Sequence, residues 1–126
     1  MKGSILVVDN DIDMEDLLSE LFSSMPYTFN FYEETDDIFE LVSKHEPQLI
    51  LLDYNLNGVN GGELCQQLKS EPATKDIPVI LFSAYPRMIY ALKNYGYDAF
   101  IEKPFDIDEF SNIIDGFMSS SISGNK

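Results

Sequence analysis

The sequence predicts one α/β domain, a doubly wound parallel sheet of five strands covered on both faces by helices. Five short apolar runs alternate with helical patterns along 126 residues, and this alternation is the signature of repeated βα units. Pro26, Pro47 and Pro72 fall between these elements and Pro78 at the very start of one, as residues lacking an amide donor should. Four of the five runs end in residues with chemical potential, at the strand ends where open parallel sheets gather their ligands.

The first run, SILVV at 4–8, is continuous and mostly β-branched, which suits a short strand buried on both faces. FNFY at 29–32, QLILL at 48–52, PVILFS at 78–83 and DAFIE at 98–102 are read as the other strands. Helical patterns occupy about 12–24, 35–45, 61–70, 87–95 and 106–118. Asn60 with Glu63, and Asp106 with Glu109, have the spacing of a capping box and mark two helix starts. The domain is expected over 1–119, and the small polar residues of 120–126 are expected to form a flexible tail.

A 44% hydrophobic chain of this length supports one core and is too short for two. With 22 acids against 8 bases the net charge is −14, which repels phosphate backbones and argues against direct nucleic-acid binding. Most of these acids are expected to solvate helix faces, but acids gathered in one place can hold a divalent cation. The single cysteine, Cys65, cannot form an internal disulfide, and no signal peptide or apolar run of about 18 residues occurs. A cytoplasmic protein without a membrane role is the expectation. Cys65 lies beside Leu64 and Leu68 and is read as a small buried residue, and the lone His45, before Pro47, as a helix-end residue.

The stretch VVDNDIDMEDLLSE, Val7 to Glu20, has two competing readings. Counted from Asp9, its acids at Asp9, Asp11, Asp13 and Glu20 match the ligand spacing of a calcium-binding EF-hand loop. That loop requires a glycine at its sixth position, where Met14 stands, and should follow a helix, where a strand-like run stands. The reading that survives places acids at the end of a buried strand. Asp9, Asn10 and Asp11 follow strand one, Asp53 ends strand three, Ser83 ends strand four and Lys103 follows strand five. Together they supply carboxylates for a hard cation, a hydroxyl and a cationic clamp, the groups needed to bind and transfer a phosphoryl group. Lys103 precedes Pro104, so a cis peptide bond there is an option that would set the lysine's direction.

The combination VVDND, LLDYNLNGVNGGEL, VILFSA and FIEKPF resembles the receiver domain of two-component response regulators, in order and spacing over essentially the whole chain. The resemblance implies a flavodoxin-like (βα)5 fold with strand order 2-1-3-4-5. It implies Asp53 as the acceptor of a phosphoryl group from a phosphohistidine, and Mg2+, with Mn2+ as a substitute, held by Asp9, Asn10, Asp53 and the backbone carbonyl of Asn55. Ser83 and Lys103 would bind the phosphoryl group, Ser83 and Phe100 would form the switch, and Asn55 and Tyr85 would tune hydrolysis. Asp11 occupies the place of a third acid and is read as lying outside the metal's ligands. Three positions depart from the family pattern: Asn10 replaces the second acid, Asn57 the usual proline, and Phe100 lacks a hydroxyl. Asn10 still offers a carbonyl oxygen but removes one negative charge.

Two other readings compete with this one. VVDND also resembles the nucleophile motif of haloacid-dehalogenase-type phosphatases, with Asp9 as nucleophile and Asp11 as general acid, but PFDIDEF reads as a capped helix rather than the further acidic metal site such enzymes need. A degenerate receiver that only binds partners is supported by Asn10 alone, since Asp53, Ser83 and Lys103 are all present. The implied partners are a sensor histidine kinase or a histidine phosphotransfer protein, and a downstream protein target. That target would be reached through a face including Arg87, Met88, Tyr95, Tyr97, Glu102 and Phe110. The expectation is a stand-alone receiver without an output domain, which is not itself an enzyme, and a homodimer linked to phosphorylation is compatible with it.

Overall fold

The computed structural model describes residues 3–56, 59–84 and 95–123. Strand β1 (Gly3–Val8) leads to helix α1 (Ile12–Phe22), β2 (Tyr27–Tyr32) to α2 (Ile38–His45), and β3 (Leu49–Asp53) to α3 (Gly61–Ser70). Between β3 and α3 the pairs Asn55–Leu56 (β4) and Val59–Asn60 (β5) form a small antiparallel ladder. Strands β6 (Val79–Ser83) and β7 (Ala99–Glu102) and helix α4 (Ile107–Ser123) complete the described chain. The main sheet is parallel throughout, in the order β2-β1-β3-β6-β7. In chain order of its five strands this is 2-1-3-4-5, the predicted topology. The predicted helix at 87–95 lies, except for Tyr95, outside the described residues, as do Tyr85, Arg87, Met88 and Asn57.

Strand side chains alternate between two apolar layers, because successive Cβ atoms of a strand point to opposite faces. Leu6, Val8, Ile50, Leu52, Val79 and Leu81 meet Ile38 and Val42 of α2 and Leu64, Cys65 and Leu68 of α3. Ile5, Val7, Leu49, Leu51, Ile80, Phe82 and Ile101 meet Met14, Leu18 and Phe22 of α1 and Phe110, Ile114 and Met118 of α4. Both faces being covered explains why the central strands read as unbroken apolar runs instead of alternating.

Helix starts follow local chemistry. The carboxylate of Asp11 accepts from Asp13 N, that of Asp37 from Phe39 N and Glu40 N, and Asn60 Oδ1 from Gly62 N and Glu63 N. These side chains satisfy amides that have no partner within their own helices. Asp106 Oδ1 does the same for Asp108 N at 2.8 Å and Glu109 N at 3.4 Å. Helix α4 runs to Ser123, past the predicted end at 118. Its last described core anchor is Met118, and the serines beyond it have a middling helix propensity that does not break the run.

Two members of the expected signalling face are core residues instead. Phe110 of α4 is fully buried against the sheet, and Tyr95 is buried against α3. Phe110 faces inward because Phe82 and Phe105 stack around it at 5.8 and 4.7 Å between ring centroids. Tyr97 and Phe100 are half-buried and pack on each other, and Glu102 is exposed. Among the described residues no helix is long and apolar enough to cross a membrane.

Two glycines allow a direct check of this packing. A Cβ at Gly116, inside α4, would have nothing within 4 Å, whereas one at Gly61 would run into the Asp53 carbonyl. Gly116→Ala is therefore expected to stabilise the protein by about 0.5–1 kcal/mol through helix propensity. Gly61→Ala should destabilise it, and urea unfolding of both variants measures the contrast.

Candidate functional site

Sheet register brings the predicted site residues to one end. Val8 pairs with Leu52, Asp53 with Phe82 and Ser83 with Glu102, so β1, β3, β6 and β7 finish side by side. Asp9, the residue after β1, is fully buried, Asp53 is 6% exposed and Ser83 is 1% exposed. Lys103 reaches back over the end of the sheet. Its Nζ lies 2.8 Å from Asp9 Oδ2 and 3.3 Å from Asp53 Oδ2, and 5.8 Å from the centroid of the Phe82 ring. The Lys103–Pro104 peptide bond is cis, and Lys103 N donates to the Ser83 carbonyl at 2.9 Å.

The two carboxylates are held in the same way. Asp9 Oδ1 accepts from Asp11 N at 2.9 Å, and Asp53 Oδ1 accepts from Asn55 N at 3.2 Å. Each acid thus uses one oxygen to shape its own loop and turns the other toward Lys103. Burial raises the Asp9 carboxyl to about 6; the neighbouring charge of Asp53 adds to this, and the hydrogen bond and charge of Lys103 oppose it. Burial alone would lower the Lys103 ammonium, but the hydrogen bond and charge of Asp9, with those of Asp53, outweigh it, and Lys103 is raised. The lysine therefore stays charged between its two acids.

The remaining predicted residues are placed around this centre. Asn10 is exposed beside Asp9, and Asn55 is exposed beside Asp53. Asp11 is exposed, and its carboxylate caps α1. Phe100 lies on β7, packed against the layer that contains α2 and α3. Beside Lys103 opens a cavity of about 390 Å³ lined by Asp11, Asp13, Met14, Leu17, Ala84, Lys103, Pro104 and Phe105. Sequence reasoning missed the Phe82 ring near Lys103 and the role of Tyr54. The only sequence signal for Tyr54 was its position directly after Asp53.

Among the described residues no group of three or more His, Cys, Asp or Glu side chains is gathered for a metal. The donor set is two carboxylates whose Oδ2 atoms reach a common nitrogen, with the neutral oxygens of Asn10 and Asn55 nearby. That set does not fit a closed zinc site, which takes nitrogen and sulfur ligands. It fits a hard cation such as magnesium, which keeps several waters and needs only one or two carboxylates.

An open parallel sheet with two buried acids, a serine and a lysine at its carboxyl edge defines a class of α/β folds that carry their polar site at the strand ends. Within that class, the chain belongs to the response regulator receiver domain family, whose sequence model matches residues 5–115. Receiver domains of two-component response regulators are signalling domains. The chain is 31% identical over 120 residues to sporulation initiation phosphotransferase F of Bacillus subtilis, covering 94% of this chain and 95% of that protein. It is 32% identical over 109 residues to the DNA-binding dual master transcriptional regulator RpaA of Synechocystis, covering 83% of this chain but 44% of that one. The crystal structure of response regulator TrrA from Thermotoga maritima in complex with Mg2+-BeF superposes with a TM-score of 0.80 at 26% identity, covering 93% of this chain and 99% of that one.

Burial of Asp9 sets a pH dependence. Because the folded carboxyl titrates near 6 instead of 3.8, the folded state holds the proton more tightly than the unfolded chain. Ionising Asp9 thus costs stability progressively as pH rises from about 4 through 6, and the cost levels off above 7. In metal-free protein Asp9→Asn should match the parent near pH 4 and be more stable at pH 7, by on the order of 2 kcal/mol. Urea unfolding across that range tests it, and an equal offset at every pH would refute it.

Proposed function

We propose that Asp53 accepts a phosphoryl group from a phosphohistidine of a sensor histidine kinase or a histidine phosphotransfer protein. The observation that carries this reading is Lys103 Nζ, shared at 2.8 and 3.3 Å between Asp9 and Asp53 at the end of the sheet. An Asp53 oxygen forms the new bond to phosphorus while the P–N bond breaks and the imidazole leaves with its electron pair. Lys103, released from Asp53 as its carboxylate becomes an acyl phosphate, pairs with the phosphoryl charge, and the Ser83 hydroxyl donates to a phosphoryl oxygen. Asp9, Asn10, Asp53 and the carbonyl of Asn55 would hold magnesium, or manganese, which when bound offsets negative charge on the transferring group. The cavity beside Lys103, with Met14, Leu17 and Phe105 in its wall, offers the phosphodonor an apolar approach to the acceptor.

Phosphorylation then shifts a conformational equilibrium, because the modified Asp53 engages Ser83 and Lys103 differently from the free acid. In this reading Ser83 turns toward the phosphoryl group and Phe100 takes up the vacated space, altering the exposed surface around β7. A downstream protein target reads that surface. Asn55 and Tyr85 are the proposed determinants of how fast water removes the phosphoryl group, and Tyr85 lies outside the described residues. Support for the whole reading comes from similarity along nearly the full length of a phosphotransferase and from the Mg2+-BeF complex of TrrA.

Acetyl phosphate with magnesium should label the protein once, on Asp53, as intact mass and peptide mapping would show. Labelling that persists in Asp53→Asn and disappears in Asp9→Asn would instead favour the phosphatase-like chemistry.

The departure at residue 10 gives a separate expectation. Asn10→Asp adds a charged oxygen beside two existing carboxylates, so magnesium should bind about tenfold tighter, equivalent to about 1.4 kcal/mol. The metal-free protein should at the same time melt at a lower temperature, because the added charge is uncompensated. Calorimetric magnesium titration and melts with and without metal measure both, and unchanged affinity would mean that residue 10 does not face the metal.

A further inference from the structure

Tyr54, next to Asp53, and Tyr95, far along the chain, are only 3% and 4% exposed. Their ring centroids lie 6.1 Å apart at 49°. Tyr54 fastens the loop after the acceptor at three points. Its amide donates to the Phe82 carbonyl at 2.8 Å, its carbonyl accepts from Gly61 N at 2.8 Å, and its hydroxyl accepts from Asn60 Nδ2 at 3.1 Å. Asn60 Oδ1 in turn holds Gly62 N at 2.7 Å, so the same asparagine caps α3. An amide nitrogen can only donate, so Tyr54 Oη is the acceptor there and its own proton is free for another partner. That partner is the Tyr95 side chain, with which Tyr54 shares a hydrogen bond. Tyr95 is also wedged against α3: a Cβ at Gly62 would sit 2.5 Å from its ring. Gly96 follows at φ +87°, a backbone turn that glycine adopts without strain.

We propose that Tyr95 is a positioning residue for phosphoryl transfer to Asp53: through the Asn60–Tyr54–Tyr95 hydrogen-bond relay and its wedge against Gly62, it holds Tyr54, Asn55 and Asn60 and links them to the segment that leads into β7. The inference rests on Asp53 being the phosphoacceptor. Asn55, whose amide shapes the Asp53 carboxylate and whose carbonyl is offered to magnesium, lies in the held loop, so loosening Tyr54 displaces groups on both sides of the reacting oxygen. A Tyr95 without its hydroxyl leaves a buried Tyr54 proton unpaired, and the loop gives way more readily than the sheet. A change at 95–97, whose Tyr97 packs on Phe100 of β7, thereby reaches the acceptor by a route that does not pass through Ser83.

The test compares Tyr95→Phe, Tyr54→Phe and the double variant with the parent. Phosphorylation by acetyl phosphate is measured at saturating magnesium, with exchange of the Asn55, Gly61 and Gly62 amides followed by NMR in the metal-free proteins. Both single variants should label at Asp53 three- to tenfold more slowly, and these three amides should exchange faster while those of β1 and β3 keep their protection. The double variant should be no slower than either single one, since both substitutions break one relay. Unchanged labelling in Tyr95→Phe, additive losses in the double variant, or exchange that rises equally in β1 and β3 would overturn the proposal. A parent that is not labelled on Asp53 would overturn the proposed function, and with it this inference. Normal labelling of the parent with unaffected variants would overturn the inference alone.

Discussion

Two carboxylates and one ammonium at the end of the sheet set the terms for the rest of the molecule. Strand order puts Asp9 beside Asp53, where water cannot screen them well, and their repulsion is relieved by Lys103 between them. An arrangement of this kind is expensive: a buried acid whose carboxyl is pushed up to about 6 destabilises the folded state at neutral pH. Its chemical use follows from the same fact, because a site already crowded with negative charge has high affinity for anything that brings positive charge or removes a negative one.

The rest of the fold supplies the stability that this edge lacks. Two apolar layers enclose the central strands, and residues such as Ile5, Leu6, Leu51 and Leu52 are fully buried, each contributing about 1.5–3 kcal/mol. The opposite end of the sheet is tied by a different lysine. Lys69 Nζ bonds Asp98 at 2.8 Å and the carbonyls of Lys75 and Ile77, while Asp98 also accepts from Val79 N. Its partners are two carbonyls just before β6 and the Asp98 carboxylate just before β7, so it serves to fix strands. Lys103 is bonded to side chains that other ligands can claim, and so is suited to exchange partners.

The observed geometry also bears on the calcium-loop spacing of Val7 to Glu20. Residues 12–22 are helical, and Asp11 caps that helix, so the calcium-loop spacing is a coincidence of a strand end and a helix start. The Asp11 carboxylate accepts from Asp13 N, while Asp9 and Asp53 converge on Lys103. The focus of the site therefore lies across the sheet, between two strands, and not along one acidic motif.

Much of this was legible in the sequence because it depends on local rules. Apolar runs of strand length, prolines between elements and the caps at Asn60 and Asp106 each follow from the chemistry of a few neighbouring residues, and so does the placing of Asp9, Asp53, Ser83 and Lys103 at strand ends. Tertiary structure alone decided which of these groups touch, since distances between strands depend on register and on the direction in which Lys103 turns back. It also decided that Tyr95 and Phe110, read from sequence as parts of an exposed face, point inward. Large aromatic rings suit a core as well as a surface, and only the packing partners, Gly62 and Tyr54 for one and Phe82 and Phe105 for the other, determine which they occupy.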